Sequence, residues 1–143
     1  MIAERFFADV NFMAVIAAGV AYWLVGAVWF SMIFGKTWSI ELENHGIKLQ
    51  SPGQSGMASK FIVTFLLNLI ISFGVAFFVH YVDTTTVVQA IKLGLIIGLC
   101  FAAAVMYNSY IWESRPLKLV LIDIGYPIIG ITVASIVLSI WRS

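Results

Sequence analysis

The chain has 143 residues, 62% of them hydrophobic and 10% charged, with a formal net charge of +1 and a mean hydropathy of +1.01. That composition excludes an ordinary soluble domain and makes lipid the protein's main solvent. Eight scattered basic residues form no patch for nucleic acid, and a single cysteine, Cys100, forms no disulfide framework.

From the N-terminus, Glu4 and Asp9 flank the first base, Arg5. The apolar run behind them is too long for a signal-peptide core and reads as a retained span. Four such runs occur, at residues 10–34, 61–82, 87–112 and 117–141. A helix rising about 1.5 Å per residue needs about 20 residues to cross a hydrocarbon core of about 30 Å, so all four qualify. The expected fold is an all-α integral membrane protein: one domain over residues 1–143, four transmembrane helices in an antiparallel bundle, and a short amphipathic helix in the first connection.

That connection, residues 35–60, is the one substantial exposed segment. A short helix is expected from Trp38 to His45, capped by Thr37 or Ser39 and ended by Gly46. Trp38, Leu42 and Ile40 are placed on the membrane surface, with Glu41, Glu43 and His45 facing water. Residues 50–59 read as a flexible linker. The second connection, residues 83–86, is so short that spans two and three are expected to be antiparallel neighbours. The third, residues 113–116, is equally tight, and Pro116 suits the first turn of the last helix.

Basic residues divide five against three. Lys36, Lys48, Lys60, Arg115 and Lys118 belong to the first and third connections, and Arg5, Lys92 and Arg142 to the opposite side. The bias puts the two connections in the cytoplasm and both termini outside, with a bacterial inner (plasma) membrane as the default location. Trp29, Trp38, Tyr107, Tyr110 and Trp112 are expected at one interface, and Phe6, Phe7, Tyr81 and Trp141 at the other, as membrane anchors.

Small residues indicate how the helices meet. Gly94, Gly98 and Ala102 lie four apart on one face of span three. Gly19, Gly26 and Ala27 in span one, and Gly130 and Ala134 in span four, offer further surfaces for close backbone approach. Seams within one chain and seams between chains both remain open.

The polar residues at membrane depth centre on Asp123, about 9 Å along span four by the helical rise. Tyr126 is three residues on and shares its face. Asn68, Asn108 and Ser31 fall in the same half of the bilayer, completing a candidate polar pocket. Asp123 then has two possible roles: to bind a cation or relay a proton, or to pin span four to its neighbours by hydrogen bonds. A carboxylate at this depth is costly enough to call for one of them. His80 and Asp83 share a helix face, but no second histidine stands at ligand spacing, so neither a metal nor another cofactor is expected. No complete catalytic motif occurs.

Two stretches, GAVWFSMIFGKTW at residues 26–38 and ESRPLKLVLIDIGYPIIG at residues 113–130, resemble an uncharacterised membrane family catalogued as domain of unknown function 1761. The resemblance rests on an aromatic Gly-Lys-Trp exit from span one, an Arg-Pro turn, and an acidic Gly-Tyr group in span four. It implies four transmembrane helices and no established activity. In that family a histidine often follows the Gly-Tyr pair; here the residue is Pro127. The expected function is that of a non-enzymatic membrane protein, a homo-oligomer or an accessory subunit of a larger complex. The alternative is a small oligomeric transporter or proton/ion pathway centred on Asp123.

Overall fold

The computed structural model describes residues 2–44, 46 and 57–141, and among these it is entirely helical. Four helical segments are long and apolar enough to cross a membrane: Phe12–Ile33, Ala58–Val82, Val87–Trp112 and Leu117–Ile140. The protein is an integral membrane protein of four spans.

A first helix, α1 (Ile2–Asp9), precedes the spans. It folds back so that Phe6, 1% exposed, meets the rings of Phe73 at 5.3 Å and Phe77 at 5.2 Å. Such edge-on aromatic pairs add to the area they bury. The sequence reading put Phe6 at the interface and assigned no helix there; its burial against span two is what holds α1.

Span one begins at Asn11, whose side chain accepts from the Ala14 amide at 3.2 Å, the usual chemistry of an N-cap. Helix α2 (Phe12–Val28) then widens into a π turn over Trp29–Ile33. Its signature is the Phe34 amide reaching back five residues to the Trp29 carbonyl at 2.9 Å. The chain turns at once into α3 (Gly35–Asn44), followed by Gly46 at φ +76°, the left-handed conformation that suits glycine at a helix end. Helix α3 begins before Thr37 and Ser39, so neither caps it. His45 and most of the expected linker lie outside the described residues, and residues 57–59 already belong to the next helix.

Span two is α4 (Met57–Val82). Asp83, at φ 64°, ends it, and Thr86 with Gln89 forms a capping box that starts α5 (Val87–Ile97). Span three continues through a second π turn, Gly98–Ala103, into α6 (Ala104–Trp112). Ser114, at φ 55°, and Pro116 make the last turn, and α7 (Leu117–Ile140) forms span four with Pro127 inside it.

Helix α7 is the hub: it touches α2, α3, α4, α5, α6 and the second π turn. Spans two and three meet far less than either meets α7. The short turn does bring the two into contact, but each packs more extensively on α7. The reason is glycine. A Cβ at Gly94 would fall 2.5 Å from Thr132 Cα, and one at Gly98 2.9 Å from Ile128 Cα. Only a bare backbone permits that approach, so the glycine face of span three closes on span four. Ala102 is half-buried against the same core.

Hydroxyls finish the seam: Ser135 Oγ donates to the Ala90 carbonyl at 2.9 Å, and Thr84 and Ser139 share a hydrogen bond of 2.7 Å. The contacts run in opposed order, 90 with 135, 94 with 132 and 98 with 128. Large apolar side chains such as Phe12, Ile16, Ile62, Ile70, Leu99 and Val105 are left outward, where lipid rather than water receives them.

Candidate functional site

Asp123 lies on α7 on the side that also meets α3 and α6, and it is half-buried. Two neutral donors reach its carboxylate. The Trp38 indole Nε1–H donates to Oδ1 at 2.9 Å, and the Tyr110 hydroxyl stands close enough to interact with the same carboxylate. Helix α3 brings Trp38 there because it folds under the bundle instead of only resting on the membrane surface. Leu42, expected at that surface, is 4% exposed, whereas Ile40 is 44% exposed. An ion pair between Glu41 and Lys118, 3.7 Å long, adds a contact at the rim. Trp38 and Tyr110, read from sequence as interfacial anchors, are thus the partners of the buried acid. Trp112 and Tyr107 do stay exposed.

A second polar group lies one helical turn deeper. Asn68 on α4, 3% exposed, donates from Nδ2 to the Tyr126 hydroxyl at 3.2 Å, and that hydroxyl donates to the Tyr22 carbonyl at 3.4 Å. Tyr126 is seated by glycine: a Cβ at Gly26 would lie 2.9 Å from its ring. Gly130 plays the reciprocal part, because a Cβ there would lie 3.0 Å from the Tyr22 ring. The two polar groups are joined by a ring. Phe30 stands 4.9 Å from Trp38 and 5.4 Å from Tyr126, centroid to centroid.

The five residues expected to share a pocket fall into two groups. Asp123, Tyr126 and Asn68 come together through aromatic side chains. Ser31 is exposed and turns back to donate to the Ala27 carbonyl of its own helix, and Asn108 is exposed on span three. Neither joins the cluster, because the π turns rotate the ends of spans one and three relative to a regular helix.

The backbone is irregular around this cluster. Pro127 has no N–H to return to the Asp123 carbonyl, and the Trp29 indole donates to the adjacent Ile122 carbonyl at 2.9 Å. Trp29 opens the first π turn and packs so tightly that a Cβ at Gly125 would lie 2.6 Å from its ring. The second π turn opens at Gly98, opposite Ile128. Two π turns and a proline thus converge on residues 122–128.

Sequence reasoning did not find Trp38 and Tyr110 as partners, nor the buried hydroxyls of Ser72, Thr84, Ser135 and Ser139. The spacing of Ser135 and Ser139, four apart on the face of Thr132 and Ile128, was the available signal. Ser72 Oγ, fully buried, has no hydrogen-bond partner among the described residues.

At the far end of the bundle a cavity of about 30 Å³ lies among Phe6, Asp9, Asn11, His80 and Trp141, room for about one water molecule. Among the described residues, no group of three or more His, Cys, Asp or Glu side chains is placed to hold a metal ion.

Residues 13–139 match the family described as a protein of unknown function (DUF1761), and the chain belongs to that family. Neither the curated proteins nor the solved structures give a match.

Proposed function

We propose that this is a membrane protein without enzymatic activity, acting as a homo-oligomer or as an accessory subunit of a membrane complex. The observation that carries the reading is the engagement of Asp123 by Trp38 and Tyr110. The Trp38 bond ties α3 to α7 and Tyr110 brings α6 alongside, so the most costly polar group in the membrane serves to fix the shape of the bundle.

The reading includes an antiparallel arrangement of the spans, with α3 as an amphipathic helix that also meets the membrane surface. It places the connections in the cytoplasm of a bacterial cell, both termini outside the inner membrane. Native mass spectrometry after extraction in a mild detergent tests it. A homo-oligomer or a stoichiometric foreign subunit is the expected result, and a monomer at every concentration overturns it.

A second reading is favoured by a separate observation, the convergence of two π turns and Pro127 beside Asp123. Helix discontinuities at membrane depth are where transporters and ion pathways build their sites. On this reading the protein is a small oligomeric transporter or proton/ion pathway centred on Asp123. Loss of flux in a folded Asp123→Asn protein supports it; unchanged flux removes it.

A further inference from the structure

Asp123 is the one acidic residue within the four spans, and among the described residues no basic side chain forms an ion pair with it. The two bases closest to it in sequence are committed elsewhere. Arg115 Nε lies 2.8 Å from Glu113 Oε2, with its guanidinium 5.0 Å over the Tyr110 ring, and Lys118 lies 3.7 Å from Glu41. Among the described residues the carboxylate is met by the neutral N–H of Trp38 and the hydroxyl of Tyr110, while the Arg115 guanidinium, paired with Glu113, acts on it only from a distance. An acid at this depth with no ion-pair partner among the described residues is one to which a bound cation adds attraction.

The donor set selects the kind of cation. Hard metal ions want six or more oxygen ligands, and here the carboxylate, the Tyr110 hydroxyl and the Asp123 carbonyl that Pro127 leaves without its helical N–H fall short of that set. The rest of the wall is aromatic: Trp38 itself, Phe30 at 4.9 Å from it, and Tyr126 at 5.4 Å from Phe30. An ammonium group needs one carboxylate, and aromatic rings supply further attraction to a cation.

The cap over the site is separable. Trp38 belongs to α3, whose attachments to α7 include its own hydrogen bond and the Glu41–Lys118 pair. The Lys118 side chain of that pair is 64% exposed, but Glu41 is 17% exposed and Leu42 of the same helix 4%, so α3 stays seated and the Trp38 indole is the part that turns away. The seams that hold the spans together lie elsewhere, at Gly94, Gly98, Ser135 and Thr84.

We propose that Asp123 is the anionic end of a binding site for a small organic ammonium ion, and that Trp38 is its removable cap. The indole N–H and the incoming ammonium compete for the same oxygen, Oδ1. The proposal deepens the second functional reading and rests on it for its purpose, though not for its chemistry.

The test titrates the full-length protein in lipid nanodiscs with methylammonium chloride, against sodium chloride at equal ionic strength. Tryptophan emission and the thermal unfolding midpoint are followed together. A saturable emission change and a rise in midpoint are expected with methylammonium and not with sodium. Asp123→Asn weakens half-saturation by more than about tenfold, as loss of a buried charge partner does. Trp38→Phe removes the emission change but keeps the thermal stabilisation, at an equal or lower concentration, because the competitor for Oδ1 is gone.

An equal response to sodium, no response in the natural protein, or weaker binding in Trp38→Phe overturns the proposal. If Asp123→Asn does not fold, the Trp38→Phe result alone still decides. Saturable binding without movement of methylammonium across liposomes keeps the site and rejects the pathway. Absence of binding rejects the site whatever the flux.

Discussion

The two halves of span four solve one problem in different ways. Both must place polar atoms where water does not reach. In the half from Gly130 to Ile140 the polar groups are hydroxyls, neutral and short, and close partners satisfy them: Ser135 on the Ala90 carbonyl, Ser139 on Thr84, and Thr132 on the Ile128 carbonyl of its own helix. That half contains no proline, and its neighbour α5 is regular. In the half from Leu117 to Ile129 the polar groups include a carboxylate, met by the large aromatic donor Trp38 of α3, and the Tyr126 hydroxyl, met by Asn68 of α4. There Pro127 interrupts α7, and both π turns face it.

Small hydroxyls can be added to a packed seam without disturbing it. A charge needs donors of longer reach, and here the helices around it carry two π turns and a proline. Regularity therefore marks the half that builds the bundle, and irregularity the half where a ligand site is sought.

Four substitutions sharpen or break that contrast. The largest effect is expected from Gly98→Leu, at the junction of the halves. The new side chain meets Ile128 backbone, and overpacking of this kind costs about 3 kcal/mol. Thermal unfolding in detergent measures it, and an unchanged midpoint breaks the glycine-seam account. Next is Trp38→Phe, which removes one donor from a half-buried carboxylate and costs about 1–2 kcal/mol. The same measurement reports it, with limited proteolysis expected to cut α3 faster.

Smaller again is Ser135→Ala, about 0.6 kcal/mol, the average for hydrogen bonds between membrane helices. If Ser135→Ala costs more than Trp38→Phe, the contrast is inverted and the serine half is the more finely fitted. The smallest belongs to Asn108→Leu. An exposed position away from the cluster stays within about 0.5 kcal/mol, and a large loss of stability or of assembly would place Asn108 in a contact with another chain.

Much of the fold was legible in the chain itself. The four runs of lipid-compatible residues end within a few positions of the helices, because length and apolarity alone decide whether a segment crosses a bilayer. Gly46 and the short turns were legible too, since backbone chemistry at a helix end is local. Asp123 was visible as a charge out of place, and Asn68 and Tyr126 as its companions in depth.

Trp38 and Tyr110 were hidden for a definite reason. An aromatic residue near a membrane surface looks the same in sequence whether it faces headgroups or turns inward to a carboxylate 85 positions away. Ser31 and Asn108 were misplaced because depth along a helix can be counted, whereas direction around it depends on every turn before it. Each π turn shifts that direction without a sequence mark.

What the sequence determined by itself was the solvent, the number of spans and the presence of one costly acid, because these follow from composition and from lengths measured along the chain. What only the tertiary structure decided was the hub position of span four, the choice of span three's glycine face as its partner, and the donors that reach Asp123. Those depend on which helix faces meet. In lipid, where apolar surface gains little by being hidden, close fit and hydrogen bonds between distant residues make that choice.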